Sequence, residues 1–593
     1  MLLTLAALAA LAAPVNWPAP AATARDSLDV ALYARILKSA DQRMLDSALI
    51  ATALESSSAE IRRVAARTVS QVALRHRRRA IPMLRALTHD ADSAVASAAI
   101  FGLGLVRDTA SIPLLASVIR NGAESSPAAA WSLGEIGAPA ADTVAALLAA
   151  SHETAPRMRE AIRELLIAAS KKRVLDFGAV APLRRSPDAE LRQAAADAVA
   201  RNRSPSGARA LLDVISPDAA FRAELARELT LATVGDSLRA RALERLRLLV
   251  ADASPYVRIN ALHSIATFGA ISRPVILRGL HDRDANVRVA AAQSTGTAFD
   301  SAMAVWREAW SADTSYKVRR SLLEAAASDR VELAGEEEWR ASPDWRRRAA
   351  AVGAMSGSRD TARARALALD ATRDRDARVR GVAYNVLVET DTARRDSTVQ
   401  RALLAGRSDP DSIVRNSIPG THARAFDTAA VDRPIAWYEN AVRTVVIPSL
   451  HDRPPRAVMR TVRGQIVITL DGVLAPLTVL NYATLARAHA YDSLRFHRVV
   501  PGFVAQDGDP RGDGEGGPGY SIRDELTLLP YSRGAVGMAL SGPDTGGSQY
   551  FLTLTPQPHL TGHYTVFGHV TSGFAVMDAL VEGDQINSVS VHW

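Results

Sequence analysis

Apolar positions recur every three to four residues through most of the first 430 residues. After Ser254-Pro255, for instance, Val257, Ala261, Ile265 and Phe268 share one face of an expected helix. The pattern comes back along the chain. "DASPYVRINALHSIATFG" starts at Asp252, "DRDANVRVAAAQSTGTAF" at Asp282, "DRDARVRGVAYNVLVE" at Asp374 and "DPDSIVRNS" at Asp409. The recurring arginines are Arg258, Arg288, Arg319, Arg380 and Arg415, with weaker copies at Arg62, Arg159, Arg192, Arg222 and Arg347. Neighbouring copies lie about 28 to 36 residues apart, the period of a two-helix repeat. Ser186-Pro187, Ser254-Pro255, Ser342-Pro343 and Asp409-Pro410 read as helix starts, with a side-chain acceptor at the N-cap and proline at the first helical position. One helix pair cannot bury its apolar face alone, but stacked pairs form a continuous core. The recurring Asp and Arg are expected to pair between adjacent repeats.

The helical period stops near Phe426. Residues 431–455 mix prolines with a short β-branched run and read as a linker, or as a strand packed on one neighbour. From Arg456 the pattern alternates instead. "RAVMRTVRGQIVITLDG" predicts a strand pair ending in a turn at Asp471-Gly472. Pro476 opens a helix carrying Leu480 and Leu485. Short apolar runs divided by glycine then follow, which suggests a small β-barrel.

Composition narrows the chemistry. The 593 residues contain no cysteine, which removes disulfides, thiolate metal sites and thiol catalysis. The net charge is +8, yet residues 456–593 hold nine Arg against twelve Asp plus Glu. The excess positive charge therefore lies in the first 455 residues. It is dispersed, as on solvated helix faces, rather than gathered into a nucleic-acid interface. The opening "MLLTLAALAALAAPVNWPAPAATARDS" has an apolar core too short to span a bilayer and a small-x-small site at Ala22-Thr23-Ala24. Residues 1–24 thus read as a secretory signal peptide, although the n-region has no Lys or Arg, and they predict a periplasmic or secreted protein. No later segment is long and apolar enough to cross a membrane.

The repeats resemble the HEAT-like family over residues 25–430, and the resemblance implies an all-α solenoid whose concave face binds a protein partner. "FHRVVPGFVAQDGD" from Phe496, "GMALSGPDTGGSQYFLTL" from Gly537 and "HLTGHYTVFGHV" from His559 resemble the cyclophilin-type peptidyl-prolyl isomerases over residues 456–593. That resemblance implies a closed antiparallel β-barrel with two capping helices, proline-containing polypeptides as substrate, and no cofactor or metal. It also implies catalytic roles for Arg498, Gln506 and Phe503. Substrate contacts would come from Val504, Met538, Ala539, Leu540, Gln549, Phe551, His559, Leu560 and Tyr564.

The chemistry suits these residue types. Rotation about an X-Pro bond breaks amide resonance against a barrier of ~20 kcal/mol. The twisted amide gains a lone pair on the prolyl nitrogen, and a donor aimed there binds it better than either planar state. A guanidinium is always charged and presents a fork of donors. An apolar pocket grips the ring and thins out water. Several positions depart from the common family pattern: His559 stands for Trp, Tyr564 for His, Val504 for Met, Leu540 for Asn, and Asp507 for Gly. If the family needs positive φ at that last position, Asp507 must adopt it at a cost. The loop Gly508–Gly519 lacks the Lys-Ser/Thr end of a phosphate cradle, and its Asp509, Asp513 and Glu515 read as a solvated loop before a calcium site. His559 and His563 lack an evident third ligand for zinc. Ser548 has no paired base in its motif, so no hydrolase is read there. The leading function is an exported isomerase whose array recruits clients or docks the enzyme to a partner assembly. The alternative is a scaffold whose barrel holds proline segments without turnover.

Overall fold

The computed structural model describes residues 28–150, 156–172, 180, 183, 185–201, 205–212, 214–299, 302–328, 333–391, 396–419 and 433–593. The expected signal peptide lies outside them.

In four of the array's repeats one aspartate does two jobs. Asp252, Asp282, Asp374 and Asp409 each accept the backbone N–H two residues on, which sets the turn before a helix. Each also receives an arginine from the previous repeat: Arg222–Asp252 at 2.6 Å, Arg258–Asp282, Arg348–Asp374 and Arg380–Asp409 at 2.8 Å. The same arginine reaches back to a carbonyl just before its own helix, as Arg258 does to Asp252 O at 2.9 Å. The expected pairing between repeats is therefore present, with Arg348 rather than Arg347 as its member in that repeat. The caps differ from expectation in three places. Helices Trp345–Gly353 and Ser412–Asn416 start after Asp344 and Asp411, whose carboxylates accept N–H groups of the first turn, and Asp188 does the same for Leu191. Pro343, Pro410 and Pro187 thus precede the cap, because the residue ahead of each proline is engaged with the cap's own N–H. Only Pro255 sits inside its helix start, after Ser254.

Helices alternate between two rows. Ala59–Val72, Ser93–Leu105, Ser126–Ile136, Pro156–Lys172, Ala189–Arg201, Ala219–Glu228, Pro255–Ala266, Ala285–Ala298, Tyr316–Ser328, Trp345–Gly353 and Ala377–Thr390 stack in sequence as the inner row. Small residues let them approach. A Cβ on Gly104 would come within 2.8 Å of the Ser132 Cα, and Ser132 Oγ donates to Ile100 O at 2.9 Å.

The segment expected to be a linker or strand is helical: Ile435–Ala441, a wide turn Val442–Val446, and Ile447–Leu450. Its β-branched Val442, Val445 and Val446 are fully buried. They join a core shared by the first described helix, Val30–Asp41, and the β-domain interior. Burial on both sides overrides the strand preference of valine. The Tyr438 hydroxyl donates to Asp41 at 2.6 Å and seals the joint.

Eight strands form one antiparallel sheet: β1 Arg456–Thr461, β2 Gly464–Leu470, β3 Arg498–Val500, β4 Val504–Asp507, β5 Ala535–Met538, β6 Tyr550–Thr553, β7 Val566–Ser572 and β8 Ile586–His592. Their order is β3-β4-β6-β5-β7-β2-β1-β8. The barrel expected to be closed is not closed along its length. β3 and β8 are edges, joined where residues 494–496 meet residues 583–586, by an Arg495–Gln585 bridge and backbone bonds such as Ile586 N–H donating to Leu494 O at 2.8 Å and Phe496 N–H to Asp584 O at 2.9 Å. With only three residues in β3, there is no room for a longer seam. Helices Pro476–Arg487 and Phe574–Asp578 cover the sheet. Glu525 receives the Leu477 and Thr478 N–H groups and so caps the longer helix from inside the domain.

The inner row wraps the β-domain. Arg43 bonds Asp544 and Asp524 O, Trp131 Nε1 donates to Thr561 O at 3.0 Å, and Tyr256 donates to Asp578 at 2.9 Å. Lys317 and Arg320 both pair with Glu582, at 2.7 and 2.8 Å, and Arg378 donates to Arg511 O. The concave face read as a site for a separate partner therefore carries the chain's own β-domain at these points.

Candidate active site

β3 and β4 form a tight hairpin through Pro501, Gly502 at φ +71° and Phe503, whose N–H donates to Val500 O at 3.0 Å. The register sets Arg498 directly opposite Gln506. Residues directly opposite on one face of a pair meet, and Arg498 Nη1 donates to Gln506 Oε1 at 3.4 Å. The guanidinium carbon lies 5.5 Å from the centre of the Phe503 ring. Gln506 in turn donates to Gln549 at 3.0 Å, and Gln549 holds Gly514 O and Gly516 O at 2.8 Å each. A relay of amides thus ties the exposed arginine to the glycine-rich loop.

Strand alternation decides which apolar residues stand beneath it. Gln506 pairs with Phe551, and Phe551 with Gly537, so these face outward. Val504, Phe551 and Leu560 are buried together, with Phe503, Ala539 and Tyr564 half-buried around them. His559 lies flat near Phe503, centroids 5.9 Å apart and planes at 17°, and Tyr564 meets the Phe551 ring edge-on at 6.1 Å. Glycine at 537 is required, because a Cβ there would stand 2.5 Å from the Phe551 ring.

Met538 is not brought into this hollow. It pairs with Tyr550 and belongs to the domain interior, one residue out of phase with the outer face. Leu540 packs partly on that interior and, with Ala539, Gln506 and Gln549, lines a separate cavity of about 210 Å³. Ala539 N–H donates to Gln549 O at 3.0 Å. Sequence reasoning missed Tyr531, Ala535 and Val566, which complete the hollow. Tyr531 stacks behind Phe551 at 5.5 Å from within a stretch without regular structure, where no period could have marked it.

Asp507 needs no positive φ; its neighbour Gly508 takes +88° instead. The Asp507 side chain points into the domain among Tyr482, Tyr491 and Tyr550, and accepts the N–H of Gly508 at 2.6 Å. Burial pushes its pKa up to about 7. In the loop that follows, Asp509 accepts the N–H groups of Arg511, Asp513 and Gly514, which folds the loop on itself. Among the described residues no group of three His, Asp or Glu is placed to hold a metal ion. His563 faces Glu135 of the array at 3.2 Å.

The model for cyclophilin-type peptidyl-prolyl cis-trans isomerases matches residues 456–591. A Helicobacter pylori peptidyl-prolyl cis-trans isomerase is 47% identical over 137 residues, 22% of this chain and 84% of that protein. The chain belongs to the cyclophilin-type isomerase family. Isomerase B of Bacillus subtilis is 51% identical over 119 residues, 20% of this chain and 83% of its own length. A Cryptosporidium parvum cyclophilin-type isomerase structure is 30% identical and covers 24% of this chain and 98% of that one, with a TM-score of 0.23. The model for HEAT repeats matches residues 47–127. This cyclophilin is thus a peptidyl-prolyl cis-trans isomerase domain carried by a HEAT-repeat array.

Proposed function

We propose that the protein is an exported foldase in which Arg498 stabilises the twisted X-Pro amide while Gln506 and Phe503 hold the substrate. The HEAT array presents unfolded clients to that site. The observation that carries the reading is the Arg498 guanidinium, beside the Phe503 ring and bonded to Gln506, next to the hollow of Val504, Phe551 and Leu560. The hollow takes the proline ring and excludes water. The guanidinium donates toward the prolyl nitrogen as it pyramidalises, and Gln506 grips the backbone. No bond is made and no proton moves. A barrier lowered by ~4 kcal/mol gives about a thousandfold. Export rests on the sequence of residues 1–24.

The test is turnover of a short Ala-Pro peptide by the full chain. Wild type should accelerate isomerisation, and Arg498→Ala should lose most of that while still binding the peptide. An inactive wild type, or a fully active Arg498→Ala, overturns the assignment. Cell fractionation, with N-terminal sequencing of the mature chain, tests export, which predicts a start near Arg25.

A further inference from the structure

The array touches the β-domain firmly on either side of the hairpin turn that carries Phe503. On one side Trp131 holds Thr561, and on the other Tyr256 holds Asp578. The three inner helices between, Pro156–Lys172, Ala189–Arg201 and Ala219–Glu228, face a cavity of about 610 Å³. Its opposite wall belongs to the β-domain and includes Phe503 and His559, the stacked pair at the edge of the proline hollow. The smaller cavity beside Gln506 and Leu540 shares no residue with it. Phe503 and Tyr531 of the hollow line the larger cavity and Ala539 lines the smaller, so a chain lying across the hollow reaches from one to the other. One flank of the substrate must run between the β-domain and the array.

The array wall is charged. It presents Glu160, Glu164, Asp197 and Glu224 against Arg163 and Arg227, an excess of two negative charges. Arg227 is moreover paired with Asp197 and Glu224. A site of this size enclosed by low-dielectric walls strengthens such a field locally.

Resting on the isomerase reading above, we propose that this cavity is a second substrate subsite, built by the array, which selects extended polypeptides with Lys or Arg flanking the proline. The whole chain carries +8, so its long-range field alone would favour an acidic peptide. A preference for basic flanks must come from the local wall.

The experiment measures fluorescence anisotropy of two labelled peptides with the full-length protein, Lys-Lys-Ala-Pro-Lys-Lys and Glu-Glu-Ala-Pro-Glu-Glu, at low and high salt. The lysine peptide should bind about tenfold tighter at low salt, with the advantage shrinking as salt rises. In Glu160→Lys/Gln193→Lys, which reverses the wall without touching the Arg227 pairs, the ratio should fall to about one or invert. Because the ratio is taken within each protein, a general loss of affinity does not mimic this. Equal affinities in wild type, or a ratio unchanged in the double variant, overturns the proposal. Turnover of an uncharged Ala-Pro peptide is followed in parallel. Turnover with equal affinities sinks only the subsite, whereas basic preference without turnover supports the subsite and sinks the catalytic role of Arg498.

Discussion

At the scale of single residues, two side chains on adjacent strands have opposite prospects. Arg498 is exposed and structurally dispensable, so Arg498→Ala should leave the melting temperature within a degree or two. Its effect on kcat/KM should be a loss of about 10²–10³, the usual cost of removing one transition-state donor. Asp507 is fully buried, with its pKa raised by burial to about 7. The folded state then holds a proton that the unfolded state releases near pH 4. Its contribution to stability is intact at low pH and is lost as pH rises toward 7, on the order of 4 kcal/mol. Asp507→Asn should remove that loss. Urea midpoints of the variant should fall less than those of wild type between pH 5 and 8 and exceed wild type at pH 8; a residual fall remains, because burial also pushes Glu525 up to about 7 and Asp524 to about 6. A wild type whose stability rises over this range would refute the assignment.

At the scale of elements, the Arg–Asp ladder and the capped helix carry the predictions. Arg258 is buried, with Asp282 as its partner. Arg258→Ala leaves that carboxylate and two carbonyls short of a donor and should cost about 2–3 kcal/mol. In a nearest-neighbour array the loss should localise to the flanking repeats. Faster hydrogen exchange there, with the distant helix Ala59–Val72 unchanged, is the expected result. The ladder also answers to acid. Arg63 holds Asp92, and Arg192 holds Asp218, below the usual carboxylate range. Their contribution is present above about pH 4 and disappears as pH falls through the lowered values. In the β-domain, Glu525 caps the helix Pro476–Arg487 through two backbone bonds. Glu525→Ala should destabilise by about 2 kcal/mol through the orphaned donors, read as a lowered urea midpoint.

Over the whole molecule, the array and β-domain are clasped rather than strung together. Gly562, at φ +78°, lets the backbone lie on Trp131; an added Cβ would stand 2.4 Å from that ring. Gly562→Val should therefore pry the clasp open beside the larger cavity. Limited proteolysis should then cut between the two parts faster than in wild type, while circular dichroism stays unchanged. The two parts also respond to pH in opposite directions, the ladder failing in acid and the buried Asp507, Asp524 and Glu525, whose pKa values burial raises, failing toward neutrality.

Sequence alone determined the repeat period, the Arg–Asp pairing, the strand and helix order after Arg456, and Arg498, Gln506 and Phe503 as a group. Local spacing carries the first three, since a helix face, a hairpin register and a cap each involve residues close in the chain; the last came from the motifs' resemblance to a family. Only tertiary structure decided that Met538 faces the interior and that Tyr531 backs the hollow. It also decided that Val442–Val446 is helical, and that array helices face the cavity bordered by Phe503 and His559. Those outcomes depend on which distant surfaces meet and exclude water together. Local pattern does not encode that, because a valine run buried on two sides, or a tyrosine in a coil, looks the same whatever it will touch.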